Sequence, residues 1–166
     1  MILAAHALTG ATVASLIPNH PVLGFVAGFG SHFVIDTIPH WGYELSSLER
    51  GDKLGTNSIG KLTSGAFSLD VLRVVIDCFV GVLLVYFVFH SLPISRFTVA
   101  LGAFGALIPD GLQFLYVKWK WAFLRPLQIF HEWLQTCAHP KDGIIGILTH
   151  VLLALVLIQF VLKWHF

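Results

Sequence analysis

Between Gly143 and Leu162 the chain runs through twenty positions without one Asp, Glu, Lys or Arg. A helix needs roughly 20 apolar residues to cross a hydrocarbon core, and a helix is what a single segment adopts there, because no water is present to satisfy its N–H and C=O groups. Composition extends the inference to the whole chain. Of 166 residues, 56% are hydrophobic and 11% charged, and the mean hydropathy is +0.80, whereas a soluble domain carries about 25% charged residues. A water-facing globule is excluded. The length suits one all-α membrane-embedded bundle over residues 1–166, with no second folded domain.

Pro, Gly and charge divide the chain into five apolar segments that pass or nearly pass the length test. Ile2 to Ile17 ends at Pro18-Asn19-His20-Pro21, and Pro21 suits the first turn of the next helix, to Ile38. Both are short, which predicts a tight hairpin that spans a thinned bilayer or is partly re-entrant. Val71 to His90 is a clear span. Ile94 to Val117 returns with a bend near Pro109, and Gly143 to Trp164 is the last. From residue 41 to 69 Gly, Ser and charge take over, a polar loop long enough to serve as a lid. The N-terminus has no cation before its apolar stretch and reads as a retained helix. Two cysteines, Cys78 and Cys137, give no disulfide framework.

The segment from Arg125 to Gln135 differs from the spans. At 100° per residue Leu127, Ile129, Phe130, Trp133, Leu134 and Cys137 share one side, and Gln128, His131, Glu132 and Gln135 the other. This predicts an amphipathic helix on the membrane surface, anchored by Lys118, Trp119, Lys120 and Trp121. If all five spans cross, one side receives Arg50, Lys53, Lys61, Arg73, Lys118, Lys120, Arg125 and Lys141, and the other only Arg96 and Lys163. The cation-rich side is then cytoplasmic and carries the polar loop and the surface helix. Ten cations against nine anions leave no basic field for nucleic acid.

Ionisable groups within spans are expensive and mark function by default. The topology brings His6, His32, Asp36, Asp77, Asp110 and His131 from five helices to one level of the cytoplasmic face. His20 and His90 fall at the opposite face. His32 and Asp36 stand four apart on one helix face, and an imidazole with a carboxylate there can grip a divalent ion such as Zn²⁺ with room for water. Each residue also has a plainer reading. His32 and Asp36 can be a structural hydrogen bond, His6 and His131 solvated side chains, and Asp110 a helix cap. Asp77 can be an ion pair with Arg73 at i+4, and His150 a hydrogen bond to a neighbouring helix. Cys78 beside Asp77 is a poor nucleophile.

The stretch Ser31-His32-Phe33-Val34-Ile35-Asp36-Thr37-Ile38-Pro39-His40, with the early His6 and Ile108-Pro109-Asp110, resembles the inner-membrane-associated metal-dependent hydrolase family, itself distantly similar to the zinc-dependent phospholipase C and nuclease superfamily. The chain lacks the His-Arg-Gly-x-Thr-His-Ser stretch that many members carry. The resemblance implies metal ligation by His32 and Asp36, with Asp36 bridging two ions, and by His6 and Asp110. The expected function is then metal-dependent hydrolysis of a phosphate ester, with a lipid headgroup as the location-based guess. Zinc is the expected metal and Asp77 the carboxylate that positions water. The alternatives are a catalytically silent protein with a structural His/Asp cluster and an ion-handling protein.

Overall fold

The computed structural model describes residues 2–49, 51–138 and 143–165. Arg50, His139 and Lys141, and the side chain of Cys137, lie outside them. Six α-helices form the described chain: α1 Leu3–Ser15, α2 Pro21–Asp36, α3 Gly65–Phe89, α4 Arg96–Trp119, α5 Arg125–Ala138 and α6 Gly143–His165, with a 3-10 turn Ala122–Leu124 before α5. In the polar loop a small ribbon pairs Leu48–Glu49 antiparallel with Ser58–Ile59.

Among the described residues, three helices are long and apolar enough to cross a membrane: α3, α4 and α6. At 1.5 Å per residue α1 and α2 extend only about 20 and 24 Å, short of a hydrocarbon core of roughly 30 Å. Length therefore qualifies three of the five expected spans. Local chemistry sets the boundaries. Ser64 Oγ accepts the Phe67 N–H at 3.2 Å and starts α3 at Gly65, six residues before Val71, where the apolar run begins. Ser95 does the same for α4, whose Thr98 N–H lies 3.3 Å from Ser95 Oγ. Pro21 opens α2, where its missing N–H is not needed.

α4 lies against both α1 and α2, and α1 is nearly enclosed, touching α2, α3, α4 and α6. Glycine permits the approach. A Cβ on Gly10 of α1 or on Gly28 of α2 would run into the Gly102 carbonyl of α4, so the three helices meet backbone to backbone. The chain alternates between two ends of the bundle. At the far end Leu8, Phe89, Leu92, Val99 and Val161 form a buried apolar cluster, Thr98 Oγ1 donates to the Pro18 carbonyl at 2.6 Å, and His20 and His90 are exposed. At the near end α3 overreaches α1. Its Asp77 meets the first residues of α1, and the twelve residues back to Gly65 add about 18 Å of helix against which the polar loop folds.

Candidate metal centre

The near end brings four helices to one point. His6 of α1, His32 and Asp36 of α2 and His131 of α5 are at most 1% exposed, and Asp110 of α4 is 25% exposed at the margin. Two overlapping groups have ligand atoms within 4.8 Å of one another: His32, Asp36 and His131, and His6, His32 and Asp110. Spacing on α2 explains half of this, since positions 32 and 36 share a face.

The backbone fixes which nitrogen His32 offers. His32 Nδ1 donates to the Ala106 carbonyl at 2.7 Å, in the turn before Pro109. A neutral imidazole that gives its Nδ1 proton to a carbonyl presents Nε2 as a lone pair, the arrangement that orients metal-binding histidines. His32 Nε2 lies 3.1 Å from His131 Nε2 and 3.4 Å from Asp36 Oδ2, and His131 Nε2 is 2.9 Å from the same oxygen. Asp110 Oδ1 stands 3.8 and 3.7 Å from the two nitrogens. Four ligands about 2.0–2.1 Å from one tetrahedral ion would be separated by about 3.3 Å. His32, Asp36 and His131 have that spacing, 2.9 to 3.4 Å. His6 stacks on His32 with ring centroids 3.9 Å apart, and its Nε2 is 3.3 Å from Asp36 Oδ1. Neither ring nitrogen of His6 has a hydrogen-bond partner although the residue is fully buried. A bound cation would satisfy such a group. The His/Asp group can therefore hold a metal ion.

The helix that supplies His131 is turned the opposite way from the surface-helix expectation. Gln128, His131 and Glu132, the polar side of α5, are buried, while Phe130 and Trp133 are 44% and 53% exposed. The polar side thus meets protein partners, and the aromatic side faces away from the bundle. Solvation of His131 is thereby corrected. Glu132 accepts from Gln128 Nε2 at 2.7 Å, from Asn57 Nδ2 at 2.8 Å and from the Gly55 N–H. Tyr116 OH donates to the Gly55 carbonyl at 2.8 Å, and Lys120 Nζ to that of Asn57. Gly55, at φ +77°, takes a conformation that L side chains avoid. The polar loop is thus tied down on α5. Gln128, Glu132, Gly55 and Asn57 were not among the candidates. Their sequence signal is the polar side of α5, which in a membrane chain argues for inward partners.

Asp77 is not brought into the cluster. Its carboxylate accepts the N–H groups of Leu3 and Ala4 at 2.7 and 3.1 Å and the Tyr43 hydroxyl at 3.2 Å, capping α1, which has no cap of its own. The ion pair with Arg73 also fails, because Arg73 bonds Asp70 Oδ1 at 3.0 Å and the Glu44 carbonyl. Asp70 in turn accepts from the Ser47 N–H and hydroxyl. Burial, then the charge of Asp77 beside it, push the Tyr43 phenol above its ordinary pKa, so it stays a donor at neutral pH. Asp110 is an interior residue of α4, not a cap, because the helix runs through Pro109. His150 Nδ1 bonds Gly146 of its own helix at 2.7 Å rather than a neighbour. Cys78 is a free, half-buried thiol.

No protein-family model, curated protein or solved structure matches the chain.

Proposed function

We propose that the protein is an integral membrane hydrolase that uses a divalent metal, zinc, to cleave a phosphate ester, with lipid headgroups as the first substrate class to try. The observation that supports it is the set of separations at the near end: His32, His131 and Asp36 stand 2.9 to 3.4 Å apart, with Asp110 3.7 to 3.8 Å from the two ring nitrogens. A buried His6 with no hydrogen-bond partner stands beside them. The family resemblance of the motif around His32 and Asp36 supplies the reaction class.

His32 and His131 would hold the ion through Nε2 and Asp36 through its carboxylate, with His6 beside Asp36 and Asp110 within 3.8 Å of both ring nitrogens. Zn²⁺ so held supplies a Lewis acid for a phosphoryl oxygen and acidifies water at neutral pH. Asp110, the member nearest solvent, takes the proton as the water oxygen bonds to phosphorus. It returns that proton to the departing alcohol as the ester P–O bond breaks. The reading includes five membrane helices, with α1 and α2 as a short hairpin, in an inner membrane, and a site facing the cytoplasm on the strength of the cation count.

Elemental analysis of detergent-purified protein, paired with assays on phospholipid and on a soluble phosphodiester, tests the reading. Stoichiometric zinc with turnover is the expected result. Metal without turnover on any phosphoester selects the silent structural cluster. Protein that neither carries nor takes up Zn²⁺ or Mn²⁺ overturns the metal reading. An ion-handling role has less support, because the far end is filled by Leu8, Phe89, Val99 and Val161. Orientation is read by labelling Ser58→Cys in a cysteine-free background with an impermeant reagent. Efficient labelling from outside intact cells would move the site to the other face.

A further inference from the structure

The helices that bring ligands to the near end are not joined in the same way. α1, α2 and α4 supply His6, His32, Asp36 and Asp110, and their backbones meet at Gly10, Gly28 and Gly102, where a Cβ has no room. The spacing of those four side chains is built into the close fit of three helices. α5 supplies His131 and contains no glycine. It reaches α2 through side chains, with the Phe130 ring 5.2 Å from that of Phe33 and His131 Nε2 2.9 Å from Asp36 Oδ2. A further attachment comes from the polar loop.

That attachment is a bracket. Gly55 and Asn57, two residues apart at the loop tip, each bond to both sides of the α4–α5 seam. On the α5 side Glu132 accepts the Gly55 N–H, and Asn57 Nδ2 at 2.8 Å. On the α4 side the Tyr116 hydroxyl donates to the Gly55 carbonyl at 2.8 Å, and Lys120, at the C-terminal end of α4, to the Asn57 carbonyl. Tyr116, Glu132 and Gly55 are buried, so these bonds gain from a low local dielectric. The backbone is shaped for the place. Gly55 sits at φ +77°, and a Cβ there would press to 3.3 Å on Ile129 of α5. Glu132 joins the bracket to the cluster because it follows His131 directly. With 3.6 residues per helical turn, successive side chains point about 100° apart, one toward the ligands and the other onto the loop.

We infer that Glu132 is a positioning residue of the metal centre: through the loop tip it locks α5 to α4 and so keeps His131 against His32 and Asp36. The inference rests on the metal of the reading above, not on its phosphate ester. The other ligand group, His6, His32 and Asp110, draws on no residue of α5. Opening the bracket therefore withdraws one ligand and leaves the rest in place. Coupling between two sites is reciprocal, so an ion held in part by His131 also holds the loop down.

Co²⁺ binding to detergent-solubilised wild-type protein and to Glu132→Gln tests this. The amide keeps one acceptor oxygen where the carboxylate offered two. Its Co²⁺ affinity should fall roughly 10–100-fold, the cost of losing a group that orients a ligand, and its ligand-field absorption should change as His131 leaves the ion. The reciprocal arm uses wild type alone. Co²⁺ should slow hydrogen exchange at residues 53–57 and leave the far-end turn, 91–95, unchanged. Equal affinity and spectra in E132Q and wild type overturn the assignment. Loop exchange indifferent to the ion also overturns it, because a Glu132 that served stability alone would lower the melting point without coupling the loop to Co²⁺. Wild-type protein that binds no Co²⁺ instead strikes the metal reading underneath. If E132Q does not accumulate, Tyr116→Phe decides, because it removes only the hydroxyl that bonds the Gly55 carbonyl. Affinity lower by about 2- to 10-fold, the worth of one hydrogen bond, with faster exchange at the loop supports the bracket, and wild-type values for both remove it.

Discussion

At the far end of the bundle Leu8, Phe89, Leu92, Val99 and Val161 close the space between helices with side chains that carry no polar atom. At the near end the same role falls to three imidazoles and a buried carboxylate, His6, His32, His131 and Asp36. The far end needs only shape. In lipid, apolar side chains gain little by leaving tails for one another, so such contacts act through packing. The near end holds groups that lipid cannot satisfy, each of which must find a specific partner or ligand. One end is therefore tolerant of substitution and the other is not.

The sharpest way to break this contrast is to exchange a residue at each end. Asp36→Ala removes the carboxylate that faces three histidines. Metal affinity, read by titration with a chelator competitor, should fall beyond the roughly 10–100-fold that loss of a supporting partner costs. His90→Ala at the far end should leave it unchanged. Equal metal loss in both variants would erase the distinction between the ends. The affinity of the wild type should also decline at acid pH, because His and Asp must be deprotonated to bind. Calorimetry at stepped pH checks that sign.

Next in size is the seam that joins the ends. Gly102→Val places a branched side chain where Gly10 and Ala14 already touch. The expected loss is about 1–3 kcal/mol, seen as a lower thermal midpoint in detergent, with metal affinity reduced as well because α4 carries Asp110 and the Ala106 carbonyl. Smaller again is Asp77→Asn. Loss of a carboxylate from the start of a helix costs about 0.3–1 kcal/mol, up to about 2 when partly buried. Metal content should hold while the melting point drops. A loss of metal at constant stability would return Asp77 to the site. The smallest effect is expected at Leu152→Ala, on a face of α6 that is 63% exposed, with a change within about 0.5 kcal/mol.

Much of this was legible in the sequence, for reasons that differ by element. α3, α4 and α6 follow from run length, because a single apolar segment of that length satisfies its own backbone in lipid only as a helix. The His32 and Asp36 pair follows from helical spacing, and its meeting with His6, Asp110 and His131 from counting how many times the chain turns. What failed depended on choices that periodicity does not encode. Periodicity shows that α5 has two unlike sides, but not that the polar one, Gln128, His131 and Glu132, is buried against the bundle. Asp77 lies at i+4 from Arg73, yet Arg73 turns to Asp70 at i−3, because the loop delivers the Glu44 carbonyl there too. The tie from Glu132 to Gly55 spans 77 positions and has no local signal.

The inverted α5 has a consequence for how the protein is made. Synthesised alone, this helix would settle at the interface with Gln128, His131 and Glu132 toward water and Phe130 and Trp133 in lipid. Its native pose needs those polar groups to leave water for partners that exist only after α1, α2 and α4 have met and the loop has returned. Docking of α5 therefore depends on contacts that the rest of the bundle and the polar loop supply.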